Sequence, residues 1–304
     1  MVTFFNKYLM SVVHKEGLEK QFIFNLKECN TTGFNDPLNE DVYSPSKGLI
    51  HRYPDRVLLT ITNRCFAYCR FCFRKKNWSH FPGFDLSGAV KYISDHKEIR
   101  EVLISGGDPF TLNIKHLESI LKNIRNIKHI EVIRIGTRVL TSNPITVTHD
   151  YVGIIKNYKP IWIVAHINHP DEITPEFADA AEKIVNSGIP ILSQTVLLNG
   201  INNDKKTLKR LFCKLAGMGI KPYYLFGCDQ AVGNRHFRVS IDEALEIMRS
   251  LRCNISGICM PAFAFDLPNG GGKVVLEPET IVSRQNGRYI LKNFEGRRYI
   301  YEDV

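Results

Sequence analysis

VLLTITNRCFAYCRFC, residues 57–72, runs from an apolar stretch, Val57 to Thr62, into three closely spaced cysteines, Cys65, Cys69 and Cys72. An apolar run this short, ended by a polar turn, reads as a buried strand. The spacing after it is C-x3-C-x2-C. Three thiolates on one short loop can hold three irons of a [4Fe–4S] cluster, since thiolates are soft ligands suited to iron–sulfur centres. The fourth iron then has no protein ligand and is open to another molecule, which points to chemistry rather than electron storage. Structural zinc is the competitor, but it takes four ligands, usually as two pairs, and no second pair is spaced for it. Buried free thiols are the plain alternative. They are the favoured reading for the scattered Cys29, Cys213, Cys228, Cys253 and Cys259.

Beyond this run the chain alternates short apolar stretches with amphipathic ones. The stretches are 57–62, 101–105, 131–137, 161–168, 191–198 and 222–229, followed by helical patterns such as 113–126 and 175–187. The repeat is roughly thirty residues, the length of a βα unit. Near-continuous apolar strands indicate a parallel sheet covered by helices. Six such units predict an α/β fold, an open (β/α)6 partial barrel, with a doubly wound sheet as the alternative. After Gly257 short strands and turns, with Gly270-Gly271-Gly272 and Asn286-Gly287, predict a small β-rich C-terminal segment. The expected division is a helical and loop-like extension over 1–50, the barrel over 51–256 and the C-terminal segment over 257–304.

The chain has 304 residues, 44% of them hydrophobic, which is enough for a full core. No stretch approaches the roughly 18 apolar residues of a membrane span. The N-terminus lacks a small-residue cleavage site, so no signal peptide is expected. Eight cysteines without a disulfide framework fit a reducing, cytoplasmic setting. The net charge of +9 raises the question of a nucleic-acid partner. The basic residues come in short pairs and form no block, which favours solvated faces instead.

The odd residues fall at the predicted strand ends. Gly106-Gly107-Asp108 is expected to leave backbone amides uncovered and to place a carboxylate at the mouth of the sheet. A plain βα turn would look the same. After a cysteine triplet, though, it fits S-adenosylmethionine, whose ammonium group needs a partner beside the open iron. In Asp266-Leu-Pro-Asn-Gly-Gly-Gly-Lys273 the phosphate-loop fingerprint fails, because Val274 follows the lysine. Lys273 could be a Schiff-base amine, since a lysine pKa falls readily on desolvation; an exposed hairpin lysine is the bland reading. Arg52 and Arg56, four apart around Pro54, suit a phosphate. A surface turn with an Asp55–Arg pair explains them as well.

Together these pieces resemble the lysine 2,3-aminomutases and their relatives among the radical S-adenosylmethionine enzymes. The likeness runs from about Asp36 to about Gly296 through DPLNED, HRYPDRVLLTITNRC, LISGGDPF, VIRIGTR, HINHPDEITPE, SQTVLLNGINND, KPYYLFGCD, GNRHFRV and DLPNGGGK. It implies that Cys65, Cys69 and Cys72 bind the [4Fe–4S] cluster. It implies that Gly106, Gly107 and Asp108 receive the methionine part of S-adenosylmethionine, with His166 and Gln194 as further contacts. Lys273 would carry pyridoxal 5′-phosphate as the catalytic lysine, Arg52 and Arg56 would hold its phosphate, and Tyr53 would lie near it. Arg74 would clamp the substrate α-carboxylate, and Asp229 and Asp266 the remote ammonium. Two aspartates at the far end fit a cationic amino acid, lysine first and an arginine- or ornithine-like one second. A glutamate-specific relative would need a cation or an amide there. The implied activity is that of an isomerase that moves the α-amino group of lysine to C3, giving β-lysine through a 5′-deoxyadenosyl radical. It needs an electron donor such as ferredoxin or flavodoxin.

The chain departs from the family pattern in three places. It ends at Val304 without a cysteine-rich tail, and Asp204 stands where a barrel cysteine would help bind zinc. No zinc is therefore expected; a homo-oligomer is, but not on the zinc-linked pattern. The segment before His51 is short. Phe71 stands inside the cysteine motif where a histidine would pack on the cofactor. Two rival readings remain at this point. A radical S-adenosylmethionine enzyme acting on RNA would suit the basic charge, but RNA has no ammonium for the aspartates to hold. An iron–sulfur carrier would want a fourth cysteine.

Overall fold

The structure is a computed structural model, described over residues 6–13, 17–252, 254–285, 288–293 and 295–303. Cys253 and the Asn286-Gly287 turn lie outside the described residues, as do residues 1–5 and 14–16 of the expected N-terminal extension.

In chain order, helix α1 (Lys7–Val13) and two short 3-10 turns precede strand β1 (Leu49–Tyr53). Strand β2 (Arg56–Thr60), helix α2 (Leu86–Asp95), β3 (Glu101–Ser105), α3 (Ile114–Arg125) and β4 (Val132–Thr137) follow. Then come α4 (Val139–Ser142), α5 (His149–Ile155), β5 (Ile161–His166), α6 (Pro175–Asn186), β6 (Ile191–Leu197), α7 (Lys205–Gly217), β7 (Ile220–Gly227) and α8 (Ile241–Leu251). Strands β8 (Ala262–Leu267) and β9 (Gly272–Val275) extend the same sheet, in the order β1 to β9. Neighbours from β2 through β8 pair in parallel, and the edges β1 and β9 pair antiparallel to β2 and β8. The last strands, β10 (Ile281–Gln285), β11 (Arg288–Lys292) and β12 (Arg298–Glu302), form a separate antiparallel sheet. The fold is thus the open βα barrel of the sequence reading, with a small β-rich C-terminal segment. Among the described residues no helix is long and apolar enough to cross a membrane.

The helices follow their hydrophobic period. α3 buries Leu117, Ile120, Leu121 and Ile124; α6 buries Phe177, Ala180, Ala181 and Ile184; α7 buries Leu208, Leu211, Phe212 and Leu215. Each set is the i, i+3, i+4, i+7 stripe that one helix face presents to a sheet. Their starts are capped by Asn113, Thr174 and Asp204, whose side-chain oxygens accept backbone N–H groups of the first turn. Asp204, the residue at the zinc-cysteine position, thus serves as a helix cap.

The strands differ from the near-continuous apolar runs expected. Only one face of each packs against the helices: Val102 and Ile104 of β3, Ile133 and Ile135 of β4. The alternating positions, Glu101, Ser105, Arg134, His166 and Gln194, face the other way and are only partly buried. A strand in a curled sheet must serve a helix layer outside and a site inside, so its polar residues fall every second position.

The curl brings the edges together. β1 and β9 are not paired with each other, yet side chains of β1 reach the backbone of the hairpin that carries β9. Arg52 Nε donates to Gly270 O at 2.6 Å, and the Lys273 N–H donates to Tyr53 Oη at 3.0 Å. Arg52 on β1, Arg56 at the start of β2 and the lysine hairpin after the last parallel strand therefore face one space.

Candidate active site

The cysteine loop leaves the C-terminal end of β2. Tyr68 inside it has φ of 44°, a left-handed conformation uncommon for a bulky residue. Such a residue persists when its surroundings over-determine it, and the loop is gripped from several sides. The Arg70 N–H donates to Gln21 O at 2.7 Å, and the Arg70 guanidinium meets both oxygens of Glu28. Asn234 Nδ2 donates to Phe71 O at 2.6 Å, and Arg138 Nη1 donates to Cys69 Sγ at 2.7 Å.

Burial pushes the Cys65 thiol up to about 12 and those of Cys69 and Cys72 up to about 11. Cys69 adds to the rise at Cys65, and Cys65 to that at Cys72, so the sulfurs feel one another. Three thiolates in this space need a highly charged cationic centre to exist together. Among the described residues no three of His, Cys, Asp or Glu converge as a single bound ion requires. Three buried thiols on one loop that raise one another's pKa are a soft donor set of the kind an iron–sulfur cluster takes, one sulfur per iron.

Gly106 and Gly107 stand against this loop. A Cβ on Gly106 would lie 2.4 Å from Thr62 O, and one on Gly107 2.1 Å from Arg64 O. Only glycine lets the strand end touch the loop backbone there. The structure corrects the expected part of this turn. The Gly107 and Asp108 amides are not uncovered, because they donate to Thr62 O at 2.5 Å and Arg64 O at 2.7 Å. Nor does Asp108 stand at the mouth. It is buried, and its carboxylate accepts from Thr137 Oγ1 at 2.7 Å, the Arg138 N–H at 2.8 Å and the Phe110 N–H at 3.0 Å. Burial raises its pKa to about 6. Three inward bonds make it a brace between β3 and β4.

His166 and Gln194 are direct partners across β5 and β6, both on the inner face. Burial, with help from Arg138, pulls the His166 pKa down to about 3, so the imidazole is neutral. Its Nε2 meets Asn168 Oδ1 at 3.0 Å, and its ring meets Phe71 edge-on at 5.6 Å. Phe71 also packs on Phe237 and under the Arg138 guanidinium, so it lies in the wall of the cluster space.

The hairpin lysine is no exposed side chain. Lys273 and Asp266 are cross-strand partners on β9 and β8, and Nζ lies 2.9 Å from both carboxylate oxygens. The ammonium sits 3.9 Å from the Phe226 ring centroid and 5.1 Å from that of Tyr224. Burial lowers its pKa. The hairpin turn needs its glycines: a Cβ on Gly270 (φ +73°) would lie 2.6 Å from the Tyr43 ring. Arg52, Tyr53 and Arg56 line the facing edge. Arg56 lies 4.0 Å over the Tyr53 ring and pairs with Asp55 at 2.8 Å, so the ion pair of a plain turn is also present.

Next to this lysine, burial and the neighbouring Asp266 raise Asp229 to about 7. Lys273, Arg74 and Glu40 also act on it. Arg74 itself is held edge-on by Glu40, with Nη2 2.6 Å and Nε 2.9 Å from its two oxygens. The fold thus gathers Arg74, Asp229 and the Asp266–Lys273 pair from three separate places in the chain.

Among known proteins, the family model described as Radical SAM superfamily matches residues 59–211, and one described as Lysine-2,3-aminomutase matches residues 248–303. The L-lysine 2,3-aminomutase of Fusobacterium nucleatum subsp. nucleatum is 41% identical over 92% of this chain and 67% of its own length. The chain belongs to the lysine 2,3-aminomutase family. The family holds more than one substrate: the glutamate 2,3-aminomutase of Clostridioides difficile is 40% identical over 88% of this chain and 64% of its own. The chain spans about two thirds of the length of the curated relatives it matches. In structure, a radical SAM methyltransferase from Sphaerobacter thermophilus aligns with a TM-score of 0.52 at 15% identity, over 71% of this chain and 68% of that one. At that identity the likeness carries the barrel alone.

Sequence reasoning assigned no part to a buried network beside the cysteines. Arg138 Nη2 donates to Glu172 Oε1 at 2.6 Å and Gln21 Oε1 at 2.7 Å, while Asn168 Nδ2 donates to Gln21 Oε1 at 2.9 Å. Arg138 stood out as a strand-end residue in VIRIGTR, but nothing local shows that its partners lie 34 and 117 positions away. Glu40, within the DPLNED stretch, was likewise visible but without a partner.

Proposed function

We propose that this chain is an L-lysine 2,3-aminomutase, an enzyme that isomerises lysine to β-lysine. One observation carries the choice of substrate: the Lys273 ammonium rests on Asp266, and Asp229 lies close enough to both Lys273 and Arg74 to feel their charges. The comparisons leave lysine and glutamate both open within the family; one carboxylate that already holds an alkylammonium, with a second close by, favours a cationic substrate. Cys65, Cys69 and Cys72 would hold the [4Fe–4S] cluster. Gly106, Gly107, His166 and Gln194 would line the space for S-adenosylmethionine. Lys273 would bind pyridoxal 5′-phosphate, with Arg52, Tyr53 and Arg56 around its phosphate. When bound, these groups supply radical initiation and an electron-delocalising imine for the migrating nitrogen.

The chain's own residues do the rest. Held by the cofactor, Lys273 would no longer offer Asp266 the ammonium that it carries in the cofactor-free pocket. Asp266 and Asp229 then neutralise the incoming remote ammonium, and Arg74 takes the carboxylate. Phe226 and Tyr224 keep water from the reacting carbons. The division into 1–50, 51–256 and 257–304 is kept as a functional one, the last segment carrying the cofactor lysine. An electron donor of the ferredoxin or flavodoxin type, a homo-oligomer and a cytoplasmic setting belong to the same proposal.

Anaerobically reconstituted protein, offered lysine, glutamate, arginine and ornithine separately, is expected to form a β-amino acid from lysine foremost. Preferred turnover of glutamate would overturn the parts given to Asp229 and Asp266.

A pH dependence follows. Asp229 is raised to about 7, so it is protonated below that pH and ionised above it. A cation binds the ionised form, so lysine affinity should fall as pH drops through 7, by roughly tenfold one unit below. Titrating lysine binding from pH 6 to pH 8 measures this. Asp229→Asn should flatten the profile; a slope retained in that variant would assign it to another group, with Asp266, Lys273, Arg74 and Glu40 the neighbours that share the pocket.

A further inference from the structure

The loop that carries Glu40 is fixed independently of Arg74. The Asp41 N–H donates to Asp36 Oδ2 at 3.1 Å, and Lys76 pairs with Asp36 and Asp41 at 2.9 Å. The Asn269 N–H, at the tip of the lysine hairpin, donates to Pro37 O at 3.0 Å, and the His51 N–H donates to Tyr43 O at 2.8 Å. Glu40 is buried, with its side chain 10% exposed against 13% for Arg74. A guanidinium has a side edge, Nε with one Nη, and an end edge made by the two Nη groups. Glu40 covers the side edge through Nε and Nη2. Nη1 has no hydrogen-bond partner among the described residues.

We infer that Glu40 is a positioning residue for the substrate carboxylate: it locks Arg74 by its side edge, so that only the end edge can receive a carboxylate, in one orientation. The pair is close to neutral. Selection for the carboxylate then comes from directed hydrogen bonds on a rigid fork, not from free positive charge. An unheld arginine on a long flexible stem would spend much of its binding energy on being ordered. This rests on the lysine reading above.

The test compares lysine with 1,5-diaminopentane, the same chain without its carboxylate. Binding to holoenzyme carrying pyridoxal phosphate is read without reductant, from the change in the cofactor's absorbance, so that turnover is not needed. Wild type should prefer lysine. In Glu40→Ala the lysine-to-diamine affinity ratio should fall roughly tenfold or more. Glu40→Gln, which keeps the shape and one acceptor oxygen, should fall between and covers the case in which the alanine variant does not fold. An unchanged ratio in both variants, whether or not both ligands weaken, would overturn the inference and leave Glu40 a structural residue. A ratio that rises would overturn it too, making Glu40 a competitor of the substrate. If wild type responds to neither ligand, the lysine reading itself falls and takes this inference with it.

Discussion

Lys273→Ala should abolish the pyridoxal absorbance band and lower turnover by roughly 10³-fold or more. The size of the effect follows from the surroundings. Lysine suits covalent attachment of an aldehyde when burial lowers its pKa, because the unprotonated amine is the nucleophile. Lys273 is half-buried against the Phe226 and Tyr224 rings, and desolvation pulls its pKa down. Asp266 acts in the opposite direction, favouring the ammonium in the cofactor-free pocket. The same substitution strips Asp266 of its cation, so it should also raise the affinity of cofactor-free protein for small alkylamines. A variant that kept both the band and the activity would remove Lys273 from the cofactor site. Lys75, also shifted down by burial, serves as the control. It is tied to Asn234 and Glu28 behind the cysteine loop, and its replacement should leave the band in place.

Replacing any one of Cys65, Cys69 and Cys72 by alanine should cost the cluster, and with it all reductive cleavage of S-adenosylmethionine. Two thiolates cannot hold a cube that three barely surround. Iron content, the visible charge-transfer absorbance and release of 5′-deoxyadenosine check this together. Cys228 separates ligand from packing. It is as buried as Cys69 and belongs to the same apolar cluster, but it follows β7 and is not in the cysteine loop. Cys228→Ala should keep its iron. Loss of iron in that variant, or full iron in any of the other three, would contradict the assignment.

How much of this was legible depends on whether a residue's partners are close in the chain. The helices were, because a stripe such as Leu117, Ile120, Leu121 and Ile124 is written at fixed local spacing. The cysteine triplet was too, since all three thiols share one loop. Gly106 and Gly107 were singled out correctly, but their close approach is to Thr62 and Arg64 of the protein's own loop. Asp108 was read as facing a ligand because a carboxylate after two glycines looks free. Its acceptors are filled by Thr137, Arg138 and Phe110, the first at the end of the next strand and the second just after it, and no local pattern shows that.

The amino-acid sequence alone determined the alternation of strand and helix, the three cysteines of one loop and, through ordered motifs, the family. These are matters of local spacing, where period and residue type suffice. Only the tertiary structure decided which charges face one another. The barrel's curl sets Lys273 on Asp266 beside Asp229, closes Arg138 onto Cys69, Gln21 and Glu172, and turns Glu40 into the partner of Arg74. A buried ion pair is defined by geometry within a few ångströms, and sequence separation carries no information at that scale.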